Sequence, residues 1–150
     1  MSNEGSASAG LASIIFPATM AGVDEAEAYA SEFCKAHQIG SRLERVLLLI
    51  LEELVTNTVT HGCPVEDSNI DVTLRSDGSH IFLYYRDRGV AFDPMNDRNP
   101  PDFSQTMRSR PAGGVGWPLI FHYCGNVLYR RLGDHNDLQL TIPVFEVPPA

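Results

Sequence analysis

The strongest pattern in the chain lies between Arg42 and His61. Leu43, Leu47, Ile50, Leu51, Leu54 and Val55 recur at helical spacing, so the segment predicts a helix that is apolar over most of its girth and buried. Ser41-Arg42-Leu43-Glu44 reads as its capping box, and Gly62 and Pro64 stop it near His61. Asp24, with Glu27 three residues on, marks the start of an earlier helix. That helix carries Tyr29 and Phe33 as an i, i+4 pair and ends before Gly40. Ahead of it, Ser13 to Phe16 is a short β-prone run closed by Pro17, which suits an edge strand. Ile70, Val72 and Leu74 alternate with polar residues, Asp77-Gly78 makes a turn, and His80 to Arg86 is again β-prone: a hairpin. Pro118 sits in the first turn of a further helix after Gly116. Asn126 to Arg130 and Leu138 to Phe145 predict two closing strands. Strand, two helices, hairpin, long loop, helix and two strands predict an α+β two-layer sandwich, with helices on one face of a mixed, mostly antiparallel sheet.

The aperiodic parts set the domain limits. Residues 1–10, rich in Ser, Ala and Gly, predict a flexible N-terminal arm, and 11–147 one domain. Residues 93–112 hold four prolines and no period. A loop of that length inside a compact domain is usually functional or disordered, and 95–112 is read as a lid.

Composition narrows the partners. Nineteen acidic residues against eleven basic ones give a net charge of −8, which disfavours a wide nucleic-acid footprint or an anionic membrane surface. Residues 1–85 carry all of the excess negative charge, while Arg86, Arg88, Arg98, Arg108 and Arg110 crowd a short stretch beyond them. An anionic small ligand is expected among those arginines. Three cysteines without a CxxC pair fit reduced thiols. No apolar run approaches the about 20 residues of a membrane span, and the N-terminus lacks the features of a signal peptide. A cytoplasmic location is expected.

Three segments carry candidate chemistry. Glu53, Asn57 and His61 share one face of the long helix. A carboxylate, an amide and an imidazole on a buried helix are costly unless each finds a partner. They fit a base and a Mg²⁺ ligand one turn apart, or a satisfied polar stripe at a helix end. Asp87-Arg88-Gly89-Val90-Ala91-Phe92-Asp93-Pro94 follows a strand, and an acid two residues before a glycine suits a tight bend. It fits a ligand site or a plain strand end. Gly113-Gly114-Val115-Gly116 opens a helix, where backbone amides and the helix dipole can cradle phosphate, or where a loop can hinge. Arg108 and Arg110 directly precede it as phosphate charge partners. No GxxxxGK[ST] is present, which excludes P-loop chemistry.

In this order and spacing the three segments resemble the nucleotide boxes of the GHKL ATPase superfamily, whose fold is of the Bergerat type. The chain is most similar to the small stand-alone anti-sigma-factor serine/threonine-protein kinases, whose helix reads Glu-x-x-x-Asn-x-x-x-His. Tyr129-Arg130-Arg131 and Asn136-Asp137-Leu138 also look like the end of short bacterial members. The resemblance spans Leu11 to Val144. It implies that Asn57 coordinates Mg²⁺ on the ATP phosphates and that Glu53 is the general base for a serine hydroxyl. Asp87 would accept from the adenine amino group, with Gly89 and Phe92 in the same box. Gly113, Gly114, Val115 and Gly116, with Arg108 and Arg110, would hold the phosphates under the lid. Ala91 stands where the family often has Gly, and Trp117-Pro118-Leu119 where it usually has Leu-x-Leu. The implied function is an ATP-dependent serine protein kinase that phosphorylates an anti-anti-sigma antagonist, can hold a sigma factor, and acts as a homodimer. The alternative is a non-catalytic, ATP/ADP-responsive regulatory module of the same fold. Keeping Glu53 favours the enzyme.

Overall fold

Five strands form one sheet in the order β1-β2-β3-β5-β4, and every pairing is antiparallel. The computed structural model of the chain describes residues 13–97 and 116–144. The expected arm at 1–10 and most of the expected lid at 95–112 lie outside them. β1 (Ser13–Pro17) is an edge strand as its closing proline predicts, followed by α1 (Gly22–Ala36), α2 (Ser41–His61), β2 (Asn69–Ser76) and β3 (His80–Asp87). A single turn α3 (Pro94–Asp97), then α4 (Gly116–Tyr123), β4 (Asn126–Leu132) and β5 (His135–Pro143) complete the described chain. The α+β class holds, and the described pairings are antiparallel throughout.

Period-two alternation explains which side of the sheet is covered. Ile70, Val72 and Leu74 of β2, Ile81, Leu83 and Tyr85 of β3, and Leu138, Leu140 and Ile142 of β5 are buried. They join Ala30 and Phe33 of α1, Leu47, Ile50, Leu51, Leu54 and Val55 of α2 and Ile120 of α4 in one core. Burying a side chain of this size contributes about 1.5–3 kcal/mol. α2 is the central helix, packed between α1 and α4. Two local readings change. α1 begins at Gly22 and not at Asp24, which falls in its first turn, where an acid still suits the helix dipole. The Ser41–Glu44 capping box is not formed, because Gly40 occupies the cap and Ser41 is already helical. Glu44 instead accepts a hydrogen bond from Ser31 Oγ of α1 at 3.1 Å.

The opposite face of the sheet carries a row of alternating charge, Asp71, Arg86, Asp137 and Arg130, set side by side by the register. Arg86 makes a two-pronged pair with Asp137, at 2.6 and 3.0 Å. Arg88 directs two nitrogens at a single oxygen of Asp134, Oδ2, at 3.0 and 2.6 Å. The expectation that the arginine cluster awaits an anionic ligand is thereby corrected for its two described members, which are held by neighbouring carboxylates. Arg98, Arg108 and Arg110 lie outside the described residues.

Candidate active site at the end of the central helix

The stripe on α2 forms as the spacing predicts. Three buried side-chain atoms lack a hydrogen-bond partner among the described residues: Glu53 Oε2, Asn57 Nδ2 and Ser68 Oγ. Two of these stand one helical turn apart, on Glu53 and Asn57. A buried polar group left unpaired costs about 1–3 kcal/mol, and a helix keeps such groups only when something outside it uses them. Burial, followed by the neighbouring Glu52 charge, raises the Glu53 carboxyl above its ordinary range. His61, third in the stripe, ends the helix exposed.

One and a half turns along, α2 meets the end of β3 in a buried hydrogen-bond network. Asp87 falls in phase with Ile81, Leu83 and Tyr85, so its side chain enters the covered face, where it is 8% exposed. Thr58 Oγ1 lies 2.7 Å from Asp87 Oδ2, 2.7 Å from Tyr85 Oη and 3.1 Å from the Leu54 carbonyl. The threonine has one proton, and the carboxylate only accepts, so Thr58 donates to Asp87. Tyr85 then donates to Thr58, with the Leu54 carbonyl 3.0 Å from its hydroxyl. Burial, opposed by the Thr58 bond and reinforced by the Asp87 charge, pushes the Tyr85 phenol well above its usual range. It stays a donor. Asp87 Oδ1 accepts from the Gly89 amide at 3.1 Å and from Asn136 Nδ2 at 2.9 Å. A carboxylate offers about four lone-pair sites. The described residues take three, which leaves one, on Oδ2.

Gly89 is required by proximity. A Cβ there would lie 2.6 Å from the Gly62 carbonyl oxygen, the same atom that accepts the Val90 amide at 2.8 Å. Arg131 Nη1 donates to the Gly89 carbonyl at 2.7 Å from the other side. The Asp87–Gly89 bend is thus clamped between the end of α2 and β4. Phe92, partly exposed, stacks at 5.8 Å on Trp117, which stacks at 5.9 Å on Phe121. Trp117, the departure from the Leu-x-Leu pattern, is therefore packed between two rings. Gly116 begins α4 as expected. Gly113, Gly114 and Val115 lie outside the described residues, as do Arg108 and Arg110.

Glu53, Asn57, Asp87 and Gly89 are thus gathered along the C-terminal half of α2. Thr58, Tyr85, Tyr129, Arg131 and Asn136 complete the site; Thr58 and Tyr85 fall in no motif, and the other three appear only within the closing Tyr129-Arg130-Arg131 and Asn136-Asp137-Leu138 segments, with no role attached. One signal was available for Asn136. It is in phase with Leu138, Leu140 and Ile142, so period two places a polar side chain on the core face of β5. The donor set fits a nucleotide with a hard divalent cation. It offers an unpaired Glu53 carboxylate oxygen, an Asn57 amide whose oxygen is a hard ligand and whose Nδ2 is a donor without a partner among the described residues, and a buried Asp87 carboxylate with one acceptor position that no described residue fills.

Fold and site define the class, and the sequence matches it directly. Residues 16–142 match the histidine kinase-like ATPase domain, and the chain belongs to that family. The chain is 31% identical over 102 residues to the serine/threonine-protein kinase BtrW of Bordetella bronchiseptica, which covers 67% of this chain and 71% of that one. Among solved structures, the histidine kinase domain from the blue-light activated histidine kinase of Erythrobacter litoralis EL346 is similar at 16% identity and a TM-score of 0.43. That likeness covers 85% of this chain, which spans 61% of that domain. Among the described residues no helix is long and apolar enough to cross a membrane.

Proposed function

We propose that the chain is an ATP- and Mg²⁺-dependent serine protein kinase that phosphorylates an anti-anti-sigma antagonist and so regulates transcription by partner exchange. The observation that carries this reading is the pair of buried, partnerless polar atoms on Glu53 and Asn57, in a domain of the ATPase family. The similarity to a protein named as a serine/threonine kinase supports transfer to a hydroxyl.

In this reading each residue has one task. The single free acceptor position on Asp87 takes the adenine amino group, and Gly89 lets the base lie against the backbone. Asn57 holds the Mg²⁺, which supplies charge neutralisation at the phosphates when bound. Glu53, with its proton affinity raised by burial, removes the proton of the serine hydroxyl as that oxygen attacks the γ-phosphorus and ADP leaves. Gly113, Gly114, Val115 and Gly116, with Arg108 and Arg110, receive the phosphates, and Phe92 borders the base. The chain works as a cytoplasmic homodimer that also holds a sigma factor when its antagonist is phosphorylated.

Calorimetric titration with ATP and ADP, with and without Mg²⁺, tests the site. Asn57→Ala should abolish Mg²⁺-sensitive binding while leaving the melting curve intact, and unchanged affinity would remove Asn57 from the site. Glu53→Gln should still bind nucleotide but lose about 10²–10⁴-fold in phosphoryl transfer to a serine substrate. Undiminished transfer would exclude Glu53 as the base.

A further inference from the structure

Asn136 is held in one orientation by partners that each admit a single reading. The Arg131 guanidinium, which can only donate, lies 3.1 Å from Asn136 Oδ1. The Val90 carbonyl, which can only accept, lies 2.8 Å from Nδ2. Tyr129 Oη adds a bond to Oδ1 at 2.6 Å. With Oδ1 committed to β4, Nδ2 faces Asp87 Oδ1 at 2.9 Å. The amide is 6% exposed. Among the described residues it is the one side chain that ties the Asp87 carboxylate to the Val90 backbone.

We propose that Asn136 is a positioning residue that fixes the Asp87 carboxylate and the bend after it, so that the one acceptor left on Asp87 Oδ2 meets an amino group on the base. This rests on the nucleotide reading of Asp87 given above. The device depends on Asn136 being a neutral donor. An aspartate at 136 is nearly the same shape but places a second carboxylate against Asp87. Two carboxyls so close retain one proton between them. While that proton is held it keeps the bond between the two side chains, though not the amide's second bond to the Val90 carbonyl. Once it leaves, two negative charges face each other and the bend opens. Among the described residues hydrogen-bonded in this network are Thr58 from α2, Tyr85 from β3, and Tyr129 and Arg131 from β4, and of these Arg131 carries the charge that offsets the second carboxylate.

The test is the ratio of Asn136→Asp to wild-type dissociation constants for ADP across pH, in which ionisation of the nucleotide cancels. The ratio should stay within about threefold at pH 5.5 and reach about tenfold or more at pH 8.5. Melting temperatures give a second readout that needs no nucleotide. The deficit of Asn136→Asp against wild type should grow as pH rises, because stability held by the shared proton is lost above its folded-state pKa. In Asp87→Asn/Asn136→Asp, with one carboxyl left, the deficit should no longer change with pH. A flat ratio and a flat deficit in Asn136→Asp, with Asp87→Asn still abolishing binding, would overturn the proposal. If wild type binds no nucleotide, the functional reading fails, while the melting profiles still decide the role of Asn136. If Asn136→Asp does not fold, the isosteric pair Asn136→Thr and Asn136→Val decides. Tighter ADP binding by the threonine variant supports the donor role, and equal affinities refute it.

Discussion

Glu53 keeps a carboxylate in a place that favours its neutral form, and that has a cost in stability. Its folded-state pKa is raised above 4.5 by burial and then by Glu52, so the folded protein holds this proton more tightly than the unfolded chain. The associated stability is present at low pH and is lost as pH rises through the raised pKa. Glu53→Gln should therefore raise the melting temperature at pH 7 to 8, and the gain should shrink as pH falls toward 4.5. A gain independent of pH would mean that packing, not charge, is responsible. Stabilisation at the expense of activity is the signature of a functional residue. At this scale the sequence shows Glu53, Asn57, Asp87 and Gly89 through spacing. Thr58 and Tyr85 escape it, because a mid-helix threonine and an inward tyrosine look like ordinary core until their protons are counted. Arg131 is quoted only within a closing segment, and its bond to the Gly89 carbonyl, 42 residues away in sequence, leaves no local signal.

At the scale of elements, what matters is how closely the bend after β3 approaches the end of α2. The approach leaves no room for a methyl group at residue 89. Gly89→Ala should displace the Gly62 carbonyl, lengthen its bond to the Val90 amide, and lower stability by about 1–3 kcal/mol, as overpacking does. Nucleotide affinity should fall with it, which denaturation and calorimetry on the same sample would check. Unchanged stability would mean that the bend can slide along α2. Element boundaries were legible where periodicity was strong: α2 ends at His61 and the β2–β3 hairpin turns at Asp77-Gly78, with φ +92° at Gly78. The starts of α1 and α2 were not. Capping boxes are read from residue identity, but whether one forms depends on which residue reaches the non-helical cap position. In α2 that is Gly40, and tertiary contact with Ser31 claims the glutamate.

For the whole molecule, class and layer order follow from the order of periodic segments, but strand order does not. That β5 lies between β3 and β4 decides the site, because it sets Asn136 opposite Asp87 in the register. No local pattern encodes that placement. A ligand seated on a network that joins α2, β3, β4 and β5 should stabilise the whole fold. ATP at about 100 times its dissociation constant should add about 2.7 kcal/mol. Inosine triphosphate, which presents an oxo group to the acceptor on Asp87, should give little shift at the same concentration. Equal shifts from both nucleotides would exclude Asp87 from base recognition.

The Asp87 network draws on residues from Leu54 to Asn136, and its bonds among the described residues join α2, β3, β4 and β5. The bonds that hold Asp87 among the described residues thus belong to the sheet and its central helix, and surface connections such as the Asp77-Gly78 turn take no part in them. Selection can lengthen, shorten or rewrite such a connection at small cost in stability. A variant that rewrites such a turn should therefore leave the Asp87 carboxylate where Thr58, Gly89 and Asn136 hold it, and a designer could exchange the turn on the same grounds.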